Sequence, residues 1–214
     1  MLQSPPGPDR GLLMDLGAGD GHMVPFFEQL GYRVTCVDID WSALVQRPQG
    51  ADTPAVRADA QHLPFAGGSF DAVYCNSVFQ YVDRRQALAE VHRVLRPGGS
   101  LVAVENLHGS PFARLARARL KHMGHRYPPY QHPRRHLRRS ELSIYREVFT
   151  TVESRVFNLL AAGAGMLALR FFPATAMPAL TRAFRPLHAF DRLCFRAAPI
   201  LEHLGWHVVI RARA

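Results

Sequence analysis

The sequence predicts an α/β fold: a doubly wound, mostly parallel sheet with helices on both faces, carried on a single domain. Three observations lead there. Residues 12–30, LLMDLGAGDGHMVPFFEQL, pass from an apolar strand through three alternate glycines to Phe26, Phe27 and Leu30 at helical spacing. Two more apolar segments end on acids, Asp38 and Asp59, before turn or helix residues. Residues 83–104 then read as a capped helix, a Pro-Gly-Gly break and another strand. Strands alternating with helices favour crossover units and hence a parallel sheet.

Each element has its own signature. Gly17, Gly19 and Gly21 allow a sharp turn in which a ligand could lie on main-chain N–H groups. Pro25 suits the first helical turn, where a missing N–H costs little. A dinucleotide fingerprint would need a glycine at His22, so the G-x-G-x-G spacing suits an adenosine-type ligand without a pyrophosphate. Gly31 ends the helix, and 33–37 reads as the second strand. Asp38 lies 21 residues beyond Gly17, close to the ~20 at which a nucleotide fold places an acid on ribose hydroxyls. Asp40 is expected to cap a helix over 42–46.

A strand over 55–59 leads to Ala60-Gln61-His62-Leu63-Pro64-Phe65, and Gly67-Gly68-Ser69 turns into a fourth strand over 70–76. Asp71 is expected to fix the start of that strand. Asp83 should cap the next helix with Gln86 as its capping-box partner, and Ala87, Leu88, Val91, Val94 and Leu95 mark its buried face. Arg96-Pro97-Gly98-Gly99 should stop it, leaving 101–104 as strand five.

The combination of D-L-G-A-G-D-G, A-D-A-Q-H-L-P-F, S-F-D and E-V-H-R-V-L-R-P-G-G resembles the class I S-adenosylmethionine-dependent methyltransferases, in particular their quinone-biosynthesis-type (methyltransferase domain 11-like) branch. The resemblance covers about residues 11–106. It implies a Rossmann-like seven-stranded sheet with an antiparallel last strand and S-adenosyl-L-methionine as cofactor. It implies that Asp15, Gly17, Ala18 and Gly19 meet the cofactor at the first turn, and Asp38 and Ile39 at the second strand tip. Asp59 would accept the adenine amino group, the Ala60 N–H would bond a ring nitrogen, and Leu63 would pack the ring. Residues 1–106 are accordingly read as the cofactor-binding core and 107–214 as the acceptor-side half. One departure is that only residues 1–10 precede the first strand, where the family usually carries covering helices.

In a doubly wound sheet the ligand lies beyond the carboxyl ends of the strands. Asn76 is placed beside the cofactor, while Ser77, Glu105 and Asn106 should face the acceptor. Methyl transfer is an in-line displacement on an activated sulfonium, and orientation alone can supply about 7–11 kcal/mol of barrier lowering. No fixed base is required. If one acts, His108, just past strand five, is the first choice and His136 the second, because a neutral imidazole is available near pH 7. Tyr127 and Tyr130 could line an acceptor pocket. Their Y-P-P-Y setting is not the adenine-amino methyltransferase signature, which belongs at the end of strand four and needs an amide in its first position.

The second half also carries an expected Ser140-capped helix, a sixth strand over 152–157 and a last strand over 206–210, with a helical insertion at 159–203 between them. Residues 159–180 hold one charge, Arg170, in 22 residues. That charge would cost roughly 2.5–3.5 kcal/mol at a bilayer centre, and Pro173 and Pro178 break the helix, so an apolar lid with peripheral membrane contact through 159–185 fits better than a span.

Bulk properties set the limits. The chain has 214 residues, 48% of them hydrophobic, enough for a large core and too apolar for disorder. Cys36, Cys75 and Cys194 lack metal-ligand spacing and read as free thiols of a reducing cytoplasm; residues 1–9 do not read as a secretory leader. The net charge of +9 is uneven: residues 1–104 carry −3 and 105–214 carry +12. The predicted activity is methyl transfer to a small, lipophilic or conjugated acceptor. A basic second half keeps RNA methylation open as an alternative, as is a non-catalytic cofactor-binding or membrane-peripheral protein of the same fold.

Overall fold

A computed structural model of the chain describes residues 11–47, 53–108, 135–161, 164 and 183–214. Seven strands form one sheet: β1 (Leu12–Leu16), β2 (Arg33–Asp38), β3 (Ala55–Arg57), β4 (Phe70–Asn76), β5 (Leu95–Asn106), β6 (Thr151–Phe157) and β7 (His207–Arg213), in the order β3-β2-β1-β4-β5-β7-β6. β1 pairs in parallel with β2 and β4, β2 with β3, and β4 with β5. The last strand runs the other way. Gly98 donates to the Ala214 carbonyl while Leu107 donates to that of Trp206, so rising numbers on β5 meet falling numbers on β7. The expected Rossmann-like architecture, including its antiparallel last strand, is therefore present. Strand order reverses between β1 and β4, which makes their adjacent carboxyl tips the switch point where such sheets bind ligands.

Two compact units make up the chain: one of Met1–Glu105, Pro128–Ser154 and Ile210–Ala214, the other of Asn106–Tyr127 and Arg155–Val209. In the first, Leu13, Met14, Val37, Val73, Cys75, Leu101 and Ala103 are wholly buried, as expected of strands covered on both faces. Helices α1 (Val24–Gln29) and α2 (Trp41–Leu44) contribute Phe27 and Leu44 to the core; α3 (Arg84–Val94) contributes Ala87, Leu88, Val91 and Val94. Asp40 caps α2 through the Ser42 N–H at 2.9 Å, and Asp83 caps α3 through that of Gln86 at 3.0 Å. Asp71, expected to fix the start of its strand, ties β4 to both neighbours there: it accepts the Leu12 N–H of β1 at 2.8 Å and pairs with Arg96 of β5 at 2.7 Å.

Three local expectations are corrected. Residues 96–99 do not interrupt the chain between helix and strand, because β5 begins at Leu95. Its register jumps from Phe70–Leu95 to Ala72–Ser100, with Gly98 at φ +77°, and the end of β7 hydrogen bonds to Gly98 and Gly99. That pairing crosses more than half the chain, so no local pattern announces it. Gln86 does not reach back to the cap of α3, because the Gln61 Oε1 accepts the Asp83 N–H instead. Nor does Ser140 cap a helix: Glu141 takes the Arg138 N–H at 2.7 Å, and a 3₁₀ turn, Arg139–Glu141, leads into α4 (Leu142–Val148).

In the second unit, α5 (Arg185–Ala197) is followed by a 3₁₀ segment, Pro199–Leu204, and by Gly205, where a Cβ would come within 2.1 Å of Val156 Cγ1. Asp191, buried on α5, accepts the N–H groups of Leu159, Leu160 and Ala161 at 2.8–3.1 Å. Among the described residues no helix is long and apolar enough to cross a membrane. Residues 162–163 and 165–182 of the expected lid lie outside the described residues.

Candidate functional site

The carboxyl tips of β1 and β2 are locked together. Gly17 and Ala18 donate to the Val37 carbonyl at 2.7 and 3.1 Å, and Gly19 donates to Asp38 Oδ2 at 2.9 Å. The other Asp38 oxygen accepts the Asp40 N–H at 2.9 Å. This corrects the expectation that the turn offers bare N–H groups to a ligand, since the tip of β2 takes three of them. What the turn offers is room. A Cβ at Gly17 would strike Val78 Cγ2 at 2.2 Å, whereas one at Gly19 would meet nothing within 4 Å. Both glycines have positive φ, so a side chain at either would also strain the backbone.

Asp15 leads into this turn, 2% exposed, and its Oδ2 has no hydrogen-bond partner. Burial raises its pKa to about 7; His22 opposes the rise and Asp38 adds to it. A buried carboxyl with an orphaned oxygen stores an unmet demand for a donor or a cation. Ile39 follows Asp38 and is 42% exposed, an apolar side chain held in the open at a strand tip.

The segment after β3 is built as a rigid hook. Asp59 accepts the backbone N–H of Gln61 at 2.9 Å and its side-chain amide at 3.2 Å, while Ala60 and Leu63 are buried. α3 bolts the hook in place: Glu90 accepts the Leu63 N–H at 2.8 Å, and Arg93 donates to the carbonyls of Phe65 and Leu63 at 2.7 and 2.9 Å. Arg93 in turn holds the Glu90 carboxyl below its usual pKa. Sequence reasoning gave these two residues no role beyond punctuation. The only available signal was their spacing of three on one helix face.

At the tip of β4, Asn76 is exposed and its Oδ1 accepts the Ser77 hydroxyl at 3.1 Å; Ser77 sits at φ +60°, a conformation uncommon for a non-glycine residue. The loop beyond is tied down in series. Gln80 Nε2 donates to the Ser77 carbonyl at 3.0 Å, the Arg135 N–H to the Gln80 carbonyl at 2.7 Å, and Arg84 Nη2 to the Arg135 carbonyl at 3.0 Å. Arg84 also pairs with Glu141 at 3.0 Å. His136, half-buried, follows directly on this tether.

Glu105 was expected to face the acceptor. It is instead wholly buried, walled in by the protein's own groups. Neither oxygen finds a hydrogen-bond partner of good geometry, and burial raises its pKa to about 8 against the opposing pull of Arg84 and the Phe79 backbone. Tyr145 lies close by, its ring edge-on to that of Phe79 at 6.2 Å, with its hydroxyl unpaired and its pKa raised by burial and by Glu105. Asn106 and the exposed His108 belong to the second unit. Tyr127 and Tyr130 lie outside the described residues.

Residues 14–103 match the sequence family described as "Methyltransferase domain". The match runs from β1 through β4 and most of β5. An uncharacterized methyltransferase of Bacillus subtilis is 35% identical over 110 residues, covering 49% of this chain and 47% of that protein. A demethylmenaquinone methyltransferase of Mycolicibacterium vanbaalenii is 40% identical over 95 residues, 44% of this chain and 41% of that protein. The match thus spans less than half the length of either relative. Among solved structures, the geranyl diphosphate C-methyltransferase of Streptomyces coelicolor, bound to S-adenosyl-L-homocysteine, aligns with TM-score 0.63 and 18% identity over 99% of this chain and 75% of that one. At that identity the likeness is one of fold. The matched residues, 14–103, include the carboxyl tips of β1, β2, β3 and β4.

Proposed function

We propose that the protein binds S-adenosyl-L-methionine at the tips of β1–β4 and transfers its methyl group to a small, lipophilic or conjugated acceptor. The observation that carries this reading is the orphaned, buried Asp15 oxygen at the end of β1, followed by a turn with open space at Gly19 and by the Asp38 carboxylate locked to that turn. A cationic amino-acid tail answers the need of Asp15, and a ribose diol finds further lone pairs on Asp38, worth roughly 1.5–3 kcal/mol per charge-assisted bond. Ile39 and Leu63 would give the adenine apolar faces, with Asp59 and the Ala60 N–H at its polar edge. When bound, the cofactor supplies a methyl group on a sulfonium, which a nucleophile displaces in line. Asn76 and Ser77 would flank the methyl group and the incoming acceptor. Asn106, Tyr127 and Tyr130 remain proposed acceptor contacts.

The protein's own part is to orient and to exclude water. Glu90 and Arg93 hold the hook rigid, and the Ser77–Gln80–Arg135–Arg84 series holds the residues leading into His136 against the β4 tip. His136 and His108 are the groups proposed to take a proton from an acceptor hydroxyl or acidic carbon. The similarity to a demethylmenaquinone methyltransferase and the apolar character of 159–180 support a lipophilic acceptor. The test is transfer of a labelled methyl group from S-adenosyl-L-methionine to a panel of prenylated phenols and quinols, with RNA as the competing acceptor. Label in the lipid-soluble fraction is expected. Label in RNA alone, or no transfer to any acceptor despite cofactor binding, overturns the reading.

A further inference from the structure

α5 has a divided outer surface. Its one acid, Asp191, is turned inward to hold the N–H groups of residues 159–161, and Phe195 is buried beside it. Everything charged that remains exposed on the helix is an arginine: Arg185, Arg192 and Arg196. At 100° per residue these three fall on one arc of about 40°. The adjoining arc carries Ala189, Leu193, Pro186, Ala197 and Phe190, all exposed, with Leu193 at 62% and Phe190 at 50%. Ile200, just beyond the helix, is 76% exposed, and Leu160 is 49% exposed. Among the described residues none of the three arginines is paired with an acid.

A helix that packs on its own unit through one arc needs only a polar outer face. Here that face is half apolar and half cationic, and has lost its only acid to the interior. We infer that α5 and the Ile200 turn dock on an anionic lipid surface, with Phe190, Leu193 and Ile200 entering the headgroup–acyl boundary and Arg185, Arg192 and Arg196 meeting lipid phosphates. Arginines flanking bulky apolar residues are the pattern of helices that lie in the interface plane, where each basic side chain adds attraction to anionic lipid. A nucleic acid would use the arginines but leave Leu193 and Ile200 without a partner. The proposal goes beyond the methyl-transfer reading and stands without it.

The experiment is co-sedimentation of the full chain with vesicles of phosphatidylcholine, with and without phosphatidylglycerol, while calorimetric binding of S-adenosyl-L-homocysteine reports that the first unit is intact. The wild type should bind the anionic vesicles, release them as salt rises, and bind pure phosphatidylcholine weakly. Phe190→Ser with Leu193→Ser should lower partitioning about tenfold or more. Arg192→Gln with Arg196→Gln should lower it about tenfold on anionic vesicles alone. All four side chains lie on the exposed face of α5, and circular dichroism of each variant checks that its helical content is kept. Three results would overturn the inference: no vesicle binding by the wild type, vesicle binding unchanged in both variants, or sedimentation showing that the apolar arc closes a dimer which the serine variant dissolves.

Discussion

Asp15 on β1 and Glu105 on β5 are the same feature in the sequence, an acid near the carboxyl end of a parallel strand, yet the fold puts them to different uses. Each is buried, each has its pKa raised by that burial, to about 7 and about 8, and each has an oxygen with no partner. The difference lies in what surrounds them. Asp15 leads into a turn where a Cβ at Gly19 would meet nothing within 4 Å, and it feels a second carboxylate, Asp38, already locked to the main chain. Glu105 has Arg84, Phe79 and Tyr145 around it. An unsatisfied acid leading into an open glycine turn invites a ligand. One enclosed by Arg84, Phe79 and Tyr145 makes the fold sensitive to pH.

The largest effect should come from the walled acid. Glu105 has a pKa of about 8 in the fold against 4.5 unfolded, so the native state binds more protons and stability falls as pH rises between those values. Glu105→Gln does not titrate. Its stability should run parallel to that of the wild type below about pH 4.5 and gain on it as pH rises to about 8, by on the order of a few kcal/mol in the free energy of unfolding. A difference independent of pH would show that Glu105 ionises freely, and the comparison would fail.

On the open side, Asp38→Ala should weaken S-adenosyl-L-homocysteine binding about tenfold or more, since it removes the anchor of the Gly19 N–H together with the proposed ribose acceptor. Calorimetry showing unchanged affinity would take Asp38 out of the site.

Asp15 sharpens the contrast through pH. With its pKa raised to about 7, it must lose a proton to meet a cationic amino group, so affinity should rise with pH up to about 7 and then level. In Asp15→Asn that slope should vanish. If the slope persists, another group controls binding. The smallest effect is expected of Glu90→Gln, which loosens the Leu63 N–H and the Arg93 clamp. It should cost roughly 1 kcal/mol of cofactor binding and show in hydrogen exchange as weaker protection of the Leu63 amide.

The legible parts of the sequence share a cause: their determinants are local. The Asp40 and Asp83 caps and the 70–76 strand each depend on residues within a few positions, and the structure places them as read. The early start of β5 and the Arg84–Arg135 tether depend on partners scores of residues away, so no window contains them. At the site, the acids at the tips of β1 and β2 could be found by spacing. That the turn spends its N–H groups on Val37 and Asp38 could not be, because it depends on which way each amide points. The fate of Glu105 was hidden for a related reason: alternation along β5 fixes which face it lies on, and only the packing of α3 and α4 decides that this face is closed.

The most direct measurement is titration of S-adenosyl-L-homocysteine into three proteins side by side: wild type, Asp38→Ala and Glu105→Gln. One cofactor per chain should bind the wild type and Glu105→Gln alike, and bind Asp38→Ala at least about tenfold more weakly. A wild type that binds nothing, or an equal loss in both variants, would contradict the assignment of the β1–β2 tips as the place where the cofactor is held.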